Sequence, residues 1–230
     1  MNADDIFAIL LSLKVAAAAT VCGLPIALLT AWALARRKNR PRGIGLKLLD
    51  AAVHLPLVLP PVATGYVLLL LFGRNGTIGA SLAKLGIVFA FDWTGAALAS
   101  AVMAFPLMVR PIRLAMEAID PEVEDSARTL GAGAMTRFLR LTAPLAAPGL
   151  AAGTALGFAK ALGEFGATIT FVGAVPRQTL TLPTAIYQAI QAPGGETKAI
   201  IMCAVSAALA FGTVLVADAA GRWATRRVAR

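Results

Sequence analysis

Five uncharged, strongly apolar runs recur along the chain, at 15–35, 55–73, 93–109, 141–159 and 199–217, separated by short polar stretches. Each has the length of a bilayer span, for which roughly 20 residues are needed to cross the hydrocarbon core. The pattern predicts an all-α integral membrane protein of about five transmembrane helices, in one continuous membrane domain over 1–230. A sixth stretch, 165–195, is interrupted by Arg177, Pro183 and Pro193. It reads as re-entrant or as lying on the outer side. The second run contains Pro56, Pro60 and Pro61. Each proline removes a helix hydrogen bond, which a membrane tolerates where neighbouring helices or a water-lined cavity satisfy the backbone. Pro60 and Pro61 are therefore candidates for a pore-lining gate, although a kink at a helix start would look the same. In the fourth run Gly149, Gly153 and Gly157 are spaced for close helix packing, within the chain or across a dimer interface.

The longest polar interruption, about 117–141, has its own helix signals. Asp120 is placed as an N-cap, Pro121 as the first helical residue, and Glu122, Glu124 and Asp125 face the positive end of the dipole. A helix is predicted to about Leu130, broken by Gly131 and Gly133, with a second short helix from Met135 carrying Arg137 and Arg140. Two short helices on a glycine elbow make a rigid knob suited to a groove on a partner. A plain amphipathic surface helix is the bland alternative.

Composition supports the membrane reading. The 230 residues are 58% hydrophobic and 14% charged, with a mean hydropathy of +0.77, whereas soluble domains are about one-quarter charged. The net charge of +9 invites a nucleic-acid partner, but its placement argues for none. Arg36, Arg37, Lys38, Arg40, Arg42 and Lys47 follow the first run. Arg110, Arg113, Arg128, Arg137 and Arg140 follow the third, and Arg222, Arg226, Arg227 and Arg230 follow the last. Arg74, Lys84, Arg177 and Lys198 fall on the opposite side. The positive-inside rule then places the N-terminus outside and the C-terminus in the cytoplasm. The first run, with Asp4 and Asp5 ahead of it, reads as a retained span rather than a cleaved signal.

Candidate chemistry is sparse. Cys22 and Cys203 lie in apolar runs and are expected to pack as small hydrophobes. His54 is the single histidine, at the mouth of the second run, and offers no metal site. No phosphate-binding GxxxxGK[ST] loop and no clustered His/Asp/Ser site is present, so nothing suggests an enzyme. The absence of an inverted repeat or ion-coupling site argues against a stand-alone secondary transporter or channel. Lys160 and Glu164, four residues apart in a membrane segment, are ionisable and so functional by default. They read either as a structural pair buttressing a gate or as a cavity-facing cation tuned by its carboxylate. Gly166 and Thr168 follow as possible contributors to a constriction, and Thr154, Thr170 and Ser126 are further hydroxyl donors.

Asp125-Ser126-Ala127, with Gly131 six residues beyond Asp125 and Pro144 thirteen beyond Gly131, resembles the ATPase-docking loop of ABC importer permeases. Leu55 to Pro61, Gly73 to Gly76, Phe105 to Arg110, Ala127 to Ala132 and above all Leu162 to Val172 together resemble the molybdate ABC transporter permease family. Sulfate permeases share the Gly163-Glu164-Phe165-Gly166 core and continue differently. The general docking pattern has glutamate where this chain has Asp125, and isoleucine and leucine where it has Leu141 and Ala143. The resemblance implies a type I importer permease fold with a cytoplasmic coupling helix pair, in the bacterial inner membrane. It implies docking through Glu124, Asp125, Ser126, Ala127, Arg128, Thr129, Leu130, Gly131 and Ala132, and pore or gate roles for Pro60, Pro61, Lys160, Gly163, Glu164, Phe165, Gly166 and Thr168. The implied partners are a second copy of the chain, a dimer of ATPase subunits that carries the ATP and magnesium, a periplasmic molybdate-binding protein and the lipid bilayer. Tungstate or sulfate would suit the same architecture.

Overall fold

The computed structural model describes residues 2–35 and 43–228. Arg36, Arg37, Lys38, Arg40, Arg42 and Arg230, which entered the topology reading, lie outside the described residues. The described chain is helical: α1 (Ala3–Ala35), α2 (Ile44–Val58), α3 (Pro61–Phe72), α4 (Gly79–Ala83), α5 (Trp93–Glu117), α6 (Pro121–Thr129) and α7 (Ala134–Arg137) come first. A π-helical turn (Phe138–Thr142) leads into α8 (Ala143–Leu145), α9 (Ala147–Leu162), α10 (Gly166–Val172), α11 (Leu182–Gln191) and α12 (Glu196–Val228).

Three helices, α1, α5 and the Glu196–Val216 part of α12, are each long and apolar enough to cross a membrane. The count rises to five if α2 with α3, and Ala134–Leu145 with α9, are each one bent span. These two pairs correct the sequence reading. The run 55–73 is not a single kinked helix, because the chain turns by 116° between Val58 and Pro61. Pro60 and Pro61 together deny two backbone donors, so the helix cannot continue through them. The run 141–159 likewise does not begin the fourth span. A 71° bend precedes Ala147, and the helix then continues to Leu162. Residues 165–195 form two short helices, α10 and α11, with a non-helical link between them.

The core is built on α5. Along α1 the buried positions Ala8, Leu11, Ser12, Val15, Ala16, Ala19, Thr20, Gly23, Ala27, Ala31 and Leu34 recur at helical spacing, so one stripe of mostly small residues faces α5 and α9. The glycine stripe of α9 packs within the chain rather than across a dimer interface. A Cβ at Gly153 would fall 2.7 Å from the Met108 carbonyl oxygen, and one at Gly149 would fall 2.6 Å from that of Pro111. Cys22 and Cys203 are both exposed, contrary to the expectation of core packing. They sit on outward faces of spans, where an apolar surface suffices because lipid is the solvent.

The N-terminal end of α1 is fastened by polar contacts from distant sequence. Asp4 pairs with Arg177 at 2.6 Å and Asp5 with Lys198 at 2.5 Å. The Leu182 amide donates to Ser12 Oγ at 2.6 Å. Nearby, the Lys14 ammonium lies 3.5 Å from the centroid of the Trp93 ring, a cation–π contact.

Candidate functional site: a capped docking loop and a broken gate segment

The candidate docking loop, about 117–141, is organised from both ends. Asp120 Oδ1 accepts the Glu122 amide at 2.9 Å, and Pro121 occupies the first helical position. At the other end the Gly131 amide donates to the Arg128 carbonyl at 3.0 Å and the Ala132 amide to the Ala127 carbonyl at 3.1 Å. That pair of bonds is a Schellman closure, and it requires the left-handed backbone that Gly131 adopts at φ +80°. Arg137 then reaches back, its Nη1 donating to the Ala132 carbonyl at 2.8 Å, and so latches the elbow.

Glu124 and Asp125 behave differently although adjacent. Thr142 donates to Glu124 Oε1 at 3.1 Å, tying α6 to the π-helical turn. That turn is in turn seated on α1, with the Phe138 and Trp32 ring centroids 4.8 Å apart. Asp125 instead faces out beside Arg128, at 3.3 Å, in a pair 65% exposed on both sides. No residue of α6 is buried, and Leu130 at the elbow is 88% exposed. Val123, Met135 and Leu139 are exposed apolar neighbours in the loop. These three, with Thr142 and the Arg137 latch, were missed in the sequence. The signal available was the apolar residue types at helical spacing in an otherwise polar stretch.

The second group of candidates lies where α9 stops. Lys160 is in the last turn, Gly163 is the C-cap, and Glu164 lies beyond the helix end rather than on its face as the spacing suggested. The pair nonetheless forms, with Lys160 Nζ 2.6 Å from Glu164 Oε2. Glu164 Oε1 accepts the Ala167 amide at 3.0 Å, capping α10. Both oxygens of a carboxylate that is 2% exposed are thus engaged within the chain. Thr168 turns its hydroxyl inward, donating to the Phe165 carbonyl at 2.8 Å. Phe165 packs against Tyr187 with centroids 5.0 Å apart.

The two chain breaks meet. A Cβ on Gly166 would lie 2.7 Å from Pro61 Cβ, and one on Gly65 would lie 2.5 Å from the Ala167 carbonyl oxygen. The start of α3 therefore crosses the start of α10 at backbone contact. Pro61, Glu164, Gly166 and Thr168 belong to one constellation through these contacts, whereas Pro60 and Gly163 are exposed at its margin. The docking residues form a separate group.

A helical membrane domain with these two features is that of an importer permease, and the chain belongs to the family described as binding-protein-dependent transport system inner membrane component, matched over residues 23–230. It is similar to the molybdenum transport system permease protein ModB of Escherichia coli strain K12, with 51% identity over 97% of this chain and 96% of that protein. The ModB protein of Haemophilus influenzae is 47% identical over 97% and 95% of the two chains. The sulfate transport system permease protein CysT of E. coli is more distant, 36% identical over 85% of this chain and 70% of that one. Among solved structures, a methionine ABC transporter in inward-facing conformations has the same fold, with a TM-score of 0.74 at 18% identity over 97% of this chain and 99% of that one.

Proposed function

We propose that this chain is the membrane-spanning subunit of an ATP-driven molybdate importer, working as a pair of copies that takes the oxyanion from a periplasmic binding protein. Identity of 51% with the molybdenum permease of E. coli over nearly the whole of both chains, against 36% with the sulfate permease of the same organism, supports the substrate. The observation that carries the mechanism is α6, a helix capped at both ends with none of its residues buried in its own chain. A segment so ordered yet so bare is built to enter a groove on another protein. ATP hydrolysis belongs to that partner. Closure of two ATPase subunits moves α6, and the Glu124–Thr142 bond and the Phe138–Trp32 contact carry the displacement to α1. Alternating access follows from rearrangement at the α3–α10 crossing.

Lys160 and Glu164 serve as a structural pair in this scheme, because both carboxylate oxygens are already engaged. The ion pairs of Asp4 with Arg177 and Asp5 with Lys198 gather these four residues at the N-terminal end of α1. Together with the basic residues near α6, this supports an N-terminus outside and the docking loop in the cytoplasm.

The test is ATPase activity in liposomes containing this chain, its ATPase subunit and its binding protein. Binding protein loaded with molybdate is expected to stimulate hydrolysis, and sulfate-loaded protein is not. Stimulation by sulfate alone would overturn the substrate, and no stimulation by any oxyanion would overturn the importer reading.

A further inference from the structure

At the foot of α5, next to the docking loop, lies a charged cleft used by neither the docking surface nor the α3–α10 crossing. Lys47, Asp50, Ala51 and His54 of α2 face Val109, Arg110, Arg113, Leu114 and Glu117 of α5 around a space of about 640 Å³. Arg113 is held between two carboxylates, with Nη1 2.8 Å from Asp50 Oδ1 and Nε 2.8 Å from Glu117 Oε1. That arrangement fixes its guanidinium across the gap between the helices and offsets its charge. His54 is also engaged, its Nδ1 donating to the Asp50 carbonyl at 2.8 Å.

Lys47 and Arg110 are different. Among the described residues neither has an ion-pair partner. His54 aside, three basic and two acidic side chains line the cleft, a balance of one positive charge. The two cations, Lys47 and Arg110, are exposed at the cleft, one on each helix. Leu114 in the lining is apolar and 56% exposed, and α2 carries further exposed apolar residues at Ile44 and Leu48.

We propose that this cleft binds a phosphate-class oxyanion group, with Lys47 and Arg110 as its direct donors and Arg113 as the fixed strut behind them. Basic pockets between membrane helices take lipid headgroups in this way, and the exposed apolar residues give acyl chains a surface to follow. A free tetrahedral oxyanion offers the same chemistry to the same two cations. Either ligand would bridge the first half of α2, at Lys47, to the second half of α5, at Arg110. The inference does not rest on the importer reading, since it concerns a different face of the chain.

The test uses the full-length chain purified in mild detergent. Native mass spectrometry compares retention of phosphatidylglycerol with that of phosphatidylcholine. In a lipid-free sample, the thermal midpoint is followed as inorganic phosphate is added. A headgroup site is expected to prefer phosphatidylglycerol by about 25-fold, at about fivefold for each cation. The double variant Lys47→Gln/Arg110→Gln is expected to lose that preference, and Lys47→Arg/Arg110→Lys to keep it. The distant exposed pair Arg74→Gln/Lys84→Gln is the control and is expected to behave as wild type. If phosphate raises the midpoint of the wild type but not of the double glutamine variant, without lipid preference, the ligand is a free oxyanion and the site stands. Equal retention of both lipids with no phosphate effect overturns the proposal. So does a double glutamine variant that behaves as wild type while running as a monodisperse peak.

Discussion

The docking loop and the α3–α10 crossing are built on opposite plans. In the loop, order comes from bonds between neighbours in sequence: Asp120 to Glu122, Arg128 to Gly131, Ala127 to Ala132 and Ala132 to Arg137. Nothing in α6 is buried, so its surface is free for another protein. At the crossing, order comes from burial and from a backbone approach between distant stretches, Gly65 of α3 against Ala167 of α10, beside a buried Glu164 held by Lys160 and Ala167. A loop that must be recognised keeps its stability local and its side chains outside. The crossing, buried within the chain, does the reverse. Substitutions in the first should therefore alter coupling and spare assembly, and substitutions in the second should alter assembly first.

The largest separation is expected from Gly131→Pro. Proline cannot adopt φ +80° and lacks the amide that closes onto Arg128. Stimulation of the ATPase should be lost while membrane levels stay within about twofold of wild type. The milder Gly131→Ala costs about 1 kcal/mol at the elbow and should reduce stimulation without abolishing it. Wild-type stimulation in the proline variant would remove the loop from the coupling path.

Glu164→Ala should fail in the opposite way. It leaves Lys160 without its counter-charge and α10 without its cap, and losing one partner of a buried pair costs about 3 kcal/mol or more. Quantitative immunoblotting of membranes should show a severalfold drop in protein level. A full level with slowed transport would instead make the pair part of the solute path. Lys160→Ala should follow Glu164→Ala in direction, since it leaves the Glu164 carboxylate, only 1% exposed, without a counter-charge.

Leu130→Asp should weaken ATPase association by about tenfold, because it puts a charge at an exposed apolar position that a partner groove would have to desolvate. Pull-down against ATPase concentration measures this. The smallest effect is expected from Asp125→Ala. Its pair with Arg128 is 65% exposed on both sides, and such pairs contribute about 0–1 kcal/mol. A change of less than about fivefold in the same assay is predicted. A larger loss would mean that Asp125 meets a cation on the partner.

Much of this contrast was legible in the sequence, but unevenly. The docking loop could be read because caps and elbows are local: Asp120-Pro121 and Gly131 carry their own geometry. The spans could be counted from hydropathy to within the two bent pairs. Hydropathy does not register a turn of 116° inside an apolar run, and three prolines close together permit a kink or a full break. The pairing of Lys160 with Glu164 was visible as a spacing of four residues, but the end of α9 between them was not. The glycine stripe of α9 announced close packing without saying which helix would fill it. Contacts such as Asp4 to Arg177, Ser12 to Leu182 and Asp50 to Arg113 join distant stretches, and no local pattern encodes them.

The central claim is that α6 and its elbow enter the ATPase. The direct measurement is site-specific photocrosslinking in membranes that contain the assembled transporter. A photoreactive residue replaces Leu130 in one sample and Lys84, placed by the topology on the opposite side, in another. The account predicts an adduct with the ATPase subunit from position 130 and none from position 84. No adduct from 130, or equal adducts from both positions, would contradict it.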